Sequence, residues 1–101
     1  MKAKTTTFKK TLNKEKCITF FIRYGYYIHT EDDKLVILRK PGTEFTSAGE
    51  KFPKELSFFF KTDETEIRLK YDTYVLFDTG DLQEELDLIS NRITNNIDNL
   101  V

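Results

Sequence analysis

The sequence predicts an α+β domain: a twisted antiparallel sheet of four to six strands with one C-terminal helix. Three observations carry that expectation. Apolar and aromatic residues alternate with period two in several runs between residues 17 and 77. Short polar segments rich in Asp and Thr separate these runs in pairs, as two hairpins require. Beyond residue 80 the apolar spacing changes to steps of three and four, the signature of a helix.

The elements follow in order. MKAKTTTFKK carries four lysines and no apolar run, so residues 1–10 are expected as a flexible basic arm, or 5–12 as an added edge strand. In CITFFIRYGYYIH the even positions Ile18, Phe20, Ile22, Tyr24, Tyr26 and Ile28 are all apolar or aromatic. That alternation predicts a long strand near 17–28, bent at Gly25. HTEDDK (29–34) then turns the chain into KLVILRK (34–40), whose LVIL is apolar on both faces and marks a central strand. An irregular link from Pro41 to Pro53 leads to ELSFFFK (55–61), and KTDETE (61–66) closes a second hairpin. In EIRLKYDTYVLF, Ile67, Leu69, Tyr71, Thr73, Val75 and Phe77 share one face, which predicts a second long strand near 66–77.

The helix is expected near 81–97. Leu82, Leu86, Ile89, Ile93, Ile97 and Leu100 form one stripe. Glu84, Glu85 and Asp87 occupy the first turns, where carboxylates suit the positive end of the helix dipole. Asn91, Asn95, Asn96 and Asn99 weaken the tail, so fraying is expected after Ile97. Several antiparallel strands followed by a terminal helix is an order similar to that of pleckstrin-homology-like domains. That resemblance implies a seven-stranded half-open barrel capped by the helix. Seven strands are reached only by promoting 5–12 and 43–47 and by splitting the last long strand.

Composition bounds the function. At 101 residues the chain is expected as a single domain, 1–101, and 39% hydrophobic with 33% charged residues is a globular composition. No apolar run approaches the roughly 18 residues of a membrane span, and none resembles a secretory leader. Cytoplasmic location and no membrane partner are therefore expected. Cys17 is the only cysteine and His29 the only histidine, so neither an internal disulfide nor a histidine-built metal site is available, and no cofactor is expected. A Cys17–His29 dyad on one extended strand would span roughly 40 Å. Charge is uneven along the chain: through Lys61 there are 13 basic against 7 acidic residues, and from Thr62 onward 3 against 10.

One catalytic motif needs an answer. Asp78-Thr79-Gly80 after an apolar run resembles the catalytic strand of retroviral-type aspartic proteases, which are homodimers of chains of this length. Such a site requires a small residue after the glycine and further strands to enclose substrate. Here Asp81 follows Gly80 and the remaining 21 residues read as a helix. The motif is expected instead as a strand-to-helix junction, with Asp78 or Thr79 capping the helix.

With no nucleotide fingerprint or nucleophile elbow in the chain, the expectation is a non-catalytic protein-binding module, a small adaptor or inhibitor, or a homodimer. Candidate binding residues fall in two groups. Lys51, Phe45, Phe52 and Lys54 lie in or beside the 41–53 loop, where Phe45 and Phe52 serve either as anchors on the domain itself or as partner contacts. Phe21, Arg23, Tyr27 and Phe59 are placed on a sheet face not covered by the helix. Aromatics interleaved with basic residues on strands also fit single-stranded nucleic acid, the alternative reading. The acidic pI of about 5.8 argues against a general nucleic-acid binder.

Overall fold

The computed structural model describes residues 3–42, 51–75 and 80–101. Among these, five strands and two helices run β1 (Lys4–Phe8), α1 (Lys14–Ile22), β2 (Tyr27–Glu31), β3 (Leu35–Lys40), β4 (Lys54–Phe60), β5 (Thr65–Tyr71) and α2 (Asp81–Asn95), with a 3-10 turn at Ile97–Asn99. The strands form one open antiparallel sheet in the order β1-β5-β4-β3-β2. β1 therefore sits at one edge and β2 at the other, and α1 carries the chain between them. The rest is a meander that returns strand by strand until β5 pairs with β1. The fold is α+β, with an open sheet and a C-terminal helix.

The expected strand at 17–28 is wrong in its first half: Lys14–Ile22 is a helix. Apolar residues occupy both parities of CITFFI, so the run satisfies period two and also the helical spacing that buries Cys17, Ile18 and Phe21 on one side. Local chemistry decides between them. The Asn13 side chain accepts from Lys16 N–H at 2.9 Å and caps the first turn. At the other end Gly25 adopts φ 90°, Gly25 N–H donates to Ile22 C=O, and Tyr26 N–H donates to Phe21 C=O. Those two bonds are a Schellman termination, and the ring of Tyr26 meets that of Phe21 edge-on at 5.9 Å, the apolar contact that accompanies it. Only the end of the predicted strand survives, as β2.

The seven-stranded barrel is also overturned. The described strands number five, the sheet does not close, and a helix intervenes between the first and second strands. The last long strand ends at Tyr71 rather than 77. Residues 4–8 pair along β5 as the edge strand anticipated within 5–12, rather than as an arm. β3, β4 and both hairpin turns stand where expected, and α2 covers the predicted stripe, buried at Leu82, Leu86, Ile89 and Ile93. Its N-cap position is Gly80, φ 100°, which has no side chain to cap with; Asp78 and Thr79, expected to supply the cap, lie outside the described residues.

Both helices lie on the same face, α1 over β2 and β3, α2 over β1 and β5. Val36, Leu38, Leu56, Phe58, Ile67 and Leu69 point into that layer and are fully buried. No described helix is long and apolar enough to cross a membrane.

Two glycines carry backbone geometry that a side chain opposes. At Gly25 a Cβ has room, its nearest neighbour being Lys40 Cε at 3.7 Å, so Gly25→Ala costs only the left-handed strain, about 1–2 kcal/mol. At Gly42 a Cβ would overlap the backbone of residues 51–53. Gly42→Ala is expected to cost about 2–3 kcal/mol, since a packed backbone yields poorly. Urea unfolding should show Gly42→Ala as the more destabilised of the two.

Candidate functional site

Among the described residues no element covers the face opposite the helices, and the register sorts its side chains into three rows. One row runs Lys70, Glu55, Arg39, Tyr27; the next runs Thr5, Arg68, Ser57, Ile37, Thr30; the third runs Thr7, Glu66, Phe59, Leu35. Successive residues of a strand point to opposite faces, and on β3, β4 and β5 these residues alternate with more deeply buried residues of their own strand.

Tyr27 and Phe59 therefore share this face as expected, though they are two rows apart, roughly 13 Å along β3. Tyr27 is 48% exposed, whereas Phe59 is half-buried beneath the Arg68 guanidinium, which stacks 4.8 Å above its ring. Between them lie Leu35 and Ile37, both half-buried, which the candidate residues omitted. The signal for them was the apolar character of both parities in LVIL.

The charges on this face neutralise one another. Glu55 takes Arg39 Nε at 3.1 Å and Lys70 Nζ at 3.6 Å, and Arg39 also reaches Asp72 at 3.5 Å. Glu66 takes Arg68 at 2.8 Å and Lys61 at 3.5 Å. Arg39, Arg68 and Lys70 are thus all engaged by carboxylates, and the face presents apolar rows between compensated ion pairs.

Other candidates fall elsewhere. Phe21 is not on the sheet at all: it lies on α1, fully buried, with its ring 5.5 Å from that of Phe58. Arg23 follows α1 and lines a cleft of about 380 Å³ with Lys16, Phe20 and Asn96, on the helical side of the molecule. Lys54 is 2% exposed, and its ammonium donates to Phe52 C=O at 3.2 Å. It belongs to the helix-covered face, because position 54 shares the parity of Leu56 and Phe58. Phe52 meets Tyr71 edge-on at 5.5 Å and packs against the core, so it anchors the loop to its own domain. Lys51 is exposed, and Phe45 lies outside the described residues.

The catalytic candidates separate as well. His29 is the extra residue of a bulge in β2, where the register jumps between Ile28 and Thr30, and it faces solvent. Cys17 is on α1 rather than on a strand with His29, so their separation does not rest on strand length. It rests on burial, which leaves Cys17 with no exposed surface and pushes its thiol up to about 12. No group of three or more metal-ligating side chains occurs among the described residues.

Burial of Cys17 has a measurable consequence. Its proton is held more tightly in the folded chain than at the ordinary 9.0, so its contribution to stability is complete below about pH 9 and is lost as pH rises from there towards about 12. Burial raises Tyr26 in the same direction, helped by the carboxylate of Glu85 and opposed by Arg92. At pH 8 the native thiol should resist a thiol-reactive dye and react fully after denaturation; rapid native labelling would contradict a sealed Cys17. Compared with known proteins, the chain matches no family model, no curated protein and no solved structure.

Proposed function

We propose that the chain is a non-catalytic protein-binding module, a small adaptor or inhibitor. The observation that supports this reading is the sheet face opposite the helices. It carries Leu35, Ile37, Phe59 and Tyr27 at or near the surface, between ion pairs that already satisfy their own charge. Protein interfaces combine apolar and aromatic anchors with a polar surround in this way. A nucleic-acid platform draws its affinity from cations available to phosphate, and the three cations of this face have carboxylate partners.

Affinity capture from a lysate of the source organism, with half the sample treated with nuclease, tests the reading. A stoichiometric protein partner that survives nuclease is expected. Tyr27→Ala is expected to weaken its capture about tenfold, the effect of losing an aromatic anchor, and raising the salt should change capture little. Partners that vanish with nuclease would replace this reading with nucleic-acid binding. Peptide turnover abolished by Asp78→Asn would replace it with the protease.

A further inference from the structure

We infer that the outer edge of β1 accepts an extended acidic segment of a partner protein as a sixth strand. This rests on the protein-binding reading but uses a different surface from the face opposite the helices.

The ladder shows which backbone groups are free. Lys61 N–H donates to Glu64 C=O, Asp72 N–H to Pro53 C=O and Phe60 N–H to Lys34 C=O, which sets the parity of every pair in the β4–β5 hairpin. In an antiparallel ladder, residues that bond one neighbour alternate with residues that bond the other. Glu66, Arg68 and Lys70 therefore bond β4, while Thr65, Ile67 and Leu69 bond β1. On β1 the bonded residues are Phe8, Thr6 and Lys4. The N–H and C=O of Thr5 and Thr7 consequently point away from the sheet, and no described residue takes them. This edge has no bulge and no proline, unlike β2 at the other edge, which His29 interrupts.

Charge and shape select the occupant. Lys9 and Lys10, immediately after β1, line a cleft of about 280 Å³ with Phe8, Thr94 and Ile97. Neither lysine nor Lys4, at the far end of the strand, has an ion pair among the described residues. The backbone at Lys10 is tied to the β4–β5 turn. Thr65 Oγ1, fully buried, donates to Lys10 C=O at 2.9 Å and accepts from Leu12 N–H at 2.9 Å. A second copy of this chain fits poorly, because an antiparallel β1–β1 pairing brings Lys4 of one copy beside Lys9 and Lys10 of the other. A segment with carboxylates answers the lysines, an apolar side chain fills the cleft between Phe8 and Ile97, and its backbone pairs with Thr5 and Thr7.

The probe is a phage-displayed library of random twelve-residue peptides selected on the intact chain. Two variants separate the contributions. Thr7→Pro removes an outward N–H while leaving the bonds to β5 in place, and the double variant Lys9→Glu, Lys10→Glu reverses the cleft charge. Enrichment of acidic, β-branched peptides with one large apolar residue is expected. Synthetic copies should bind at least tenfold more weakly to each variant and should shift the amide resonances of Thr5 and Thr7. Failure to enrich acidic peptides, or binding to the variants as tight as to the unaltered chain, overturns the inference. So does oligothymidylate occupying the lysines in their place. Lysate capture with the same variants keeps the two readings apart. A nuclease-resistant partner held by both variants as well as by the unaltered chain removes the β1 edge and leaves protein binding intact; no partner on any form removes both.

Discussion

Phe21 joins the helical layer to the sheet and also ends the first helix. Its carbonyl accepts from Tyr24 N–H at 3.0 Å and from Tyr26 N–H at 3.3 Å, so α1 stops there and the chain reverses at Gly25. Its ring packs on Phe58 of β4, on Tyr26 and on Phe20. Stopping the helix and docking it are thus one event at one residue. A buried phenylalanine of this kind contributes about 3–5 kcal/mol when its cavity cannot collapse. More follows than stability. Because α1 ends over β2 and β3, the chain enters the sheet at the edge remote from β1 and must meander back to it.

That path leaves the second face without a described element over it. Both helices pack on the other side, α1 over β2 and β3 and α2 over β1 and β5. An antiparallel sheet tolerates one wet face provided that face is polar enough. Here the condition is met unevenly. The Lys70–Glu55–Arg39 row is ionic, while the rows through Ile37 and Phe59 remain partly apolar, relieved only by the guanidinium of Arg68 lying on the Phe59 ring. Long side chains that cover apolar surface with their stems keep such a face in water. The heads of Arg68 and Lys70 are about half exposed, whereas Glu55 is buried, so Arg39 and Lys70 cannot leave it without creating an uncompensated buried carboxylate.

Much of the fold was legible because most segments give a single periodic answer. Ile67, Leu69 and Tyr71 alternate with Glu66, Arg68 and Lys70, and no helical reading fits that pattern. Leu82, Leu86, Ile89 and Ile93 fit no strand. CITFFI fits both, since aromatic or aliphatic side chains fill nearly every position, and period alone cannot choose. The information that chooses sits in the flanks: Asn13 three residues before Lys16 is a cap, and Gly25 is the left-handed stop. Reading Gly25 as a bend within a strand put Phe21 on the sheet surface, and treating Lys54 as part of the loop hid its burial. Phe59 was placed on the correct face because the parity of its segment is intact, and Tyr27 because it belongs to the one part of its predicted strand that is a strand.

What no local pattern conveys is how the chain leaving β1 is held. Thr65 is a turn residue by sequence, and Thr11 one of several threonines in a basic stretch. In the fold their hydroxyls join residues fifty or more positions apart. Thr11 Oγ1 lies 2.6 Å from both Lys61 C=O and Thr62 C=O, so its single proton is shared between them, while Thr65 Oγ1 answers Lys10 C=O and Leu12 N–H together. Buried backbone groups outside regular ladders need such partners. Here the partners bind the exit of β1 to the β4–β5 turn. The two lysines that follow β1 are thereby carried on a tethered backbone at one end of an open sheet edge. Surface chemistry of that kind depends on long-range closure, and a pattern read along the chain sees only its two unconnected halves.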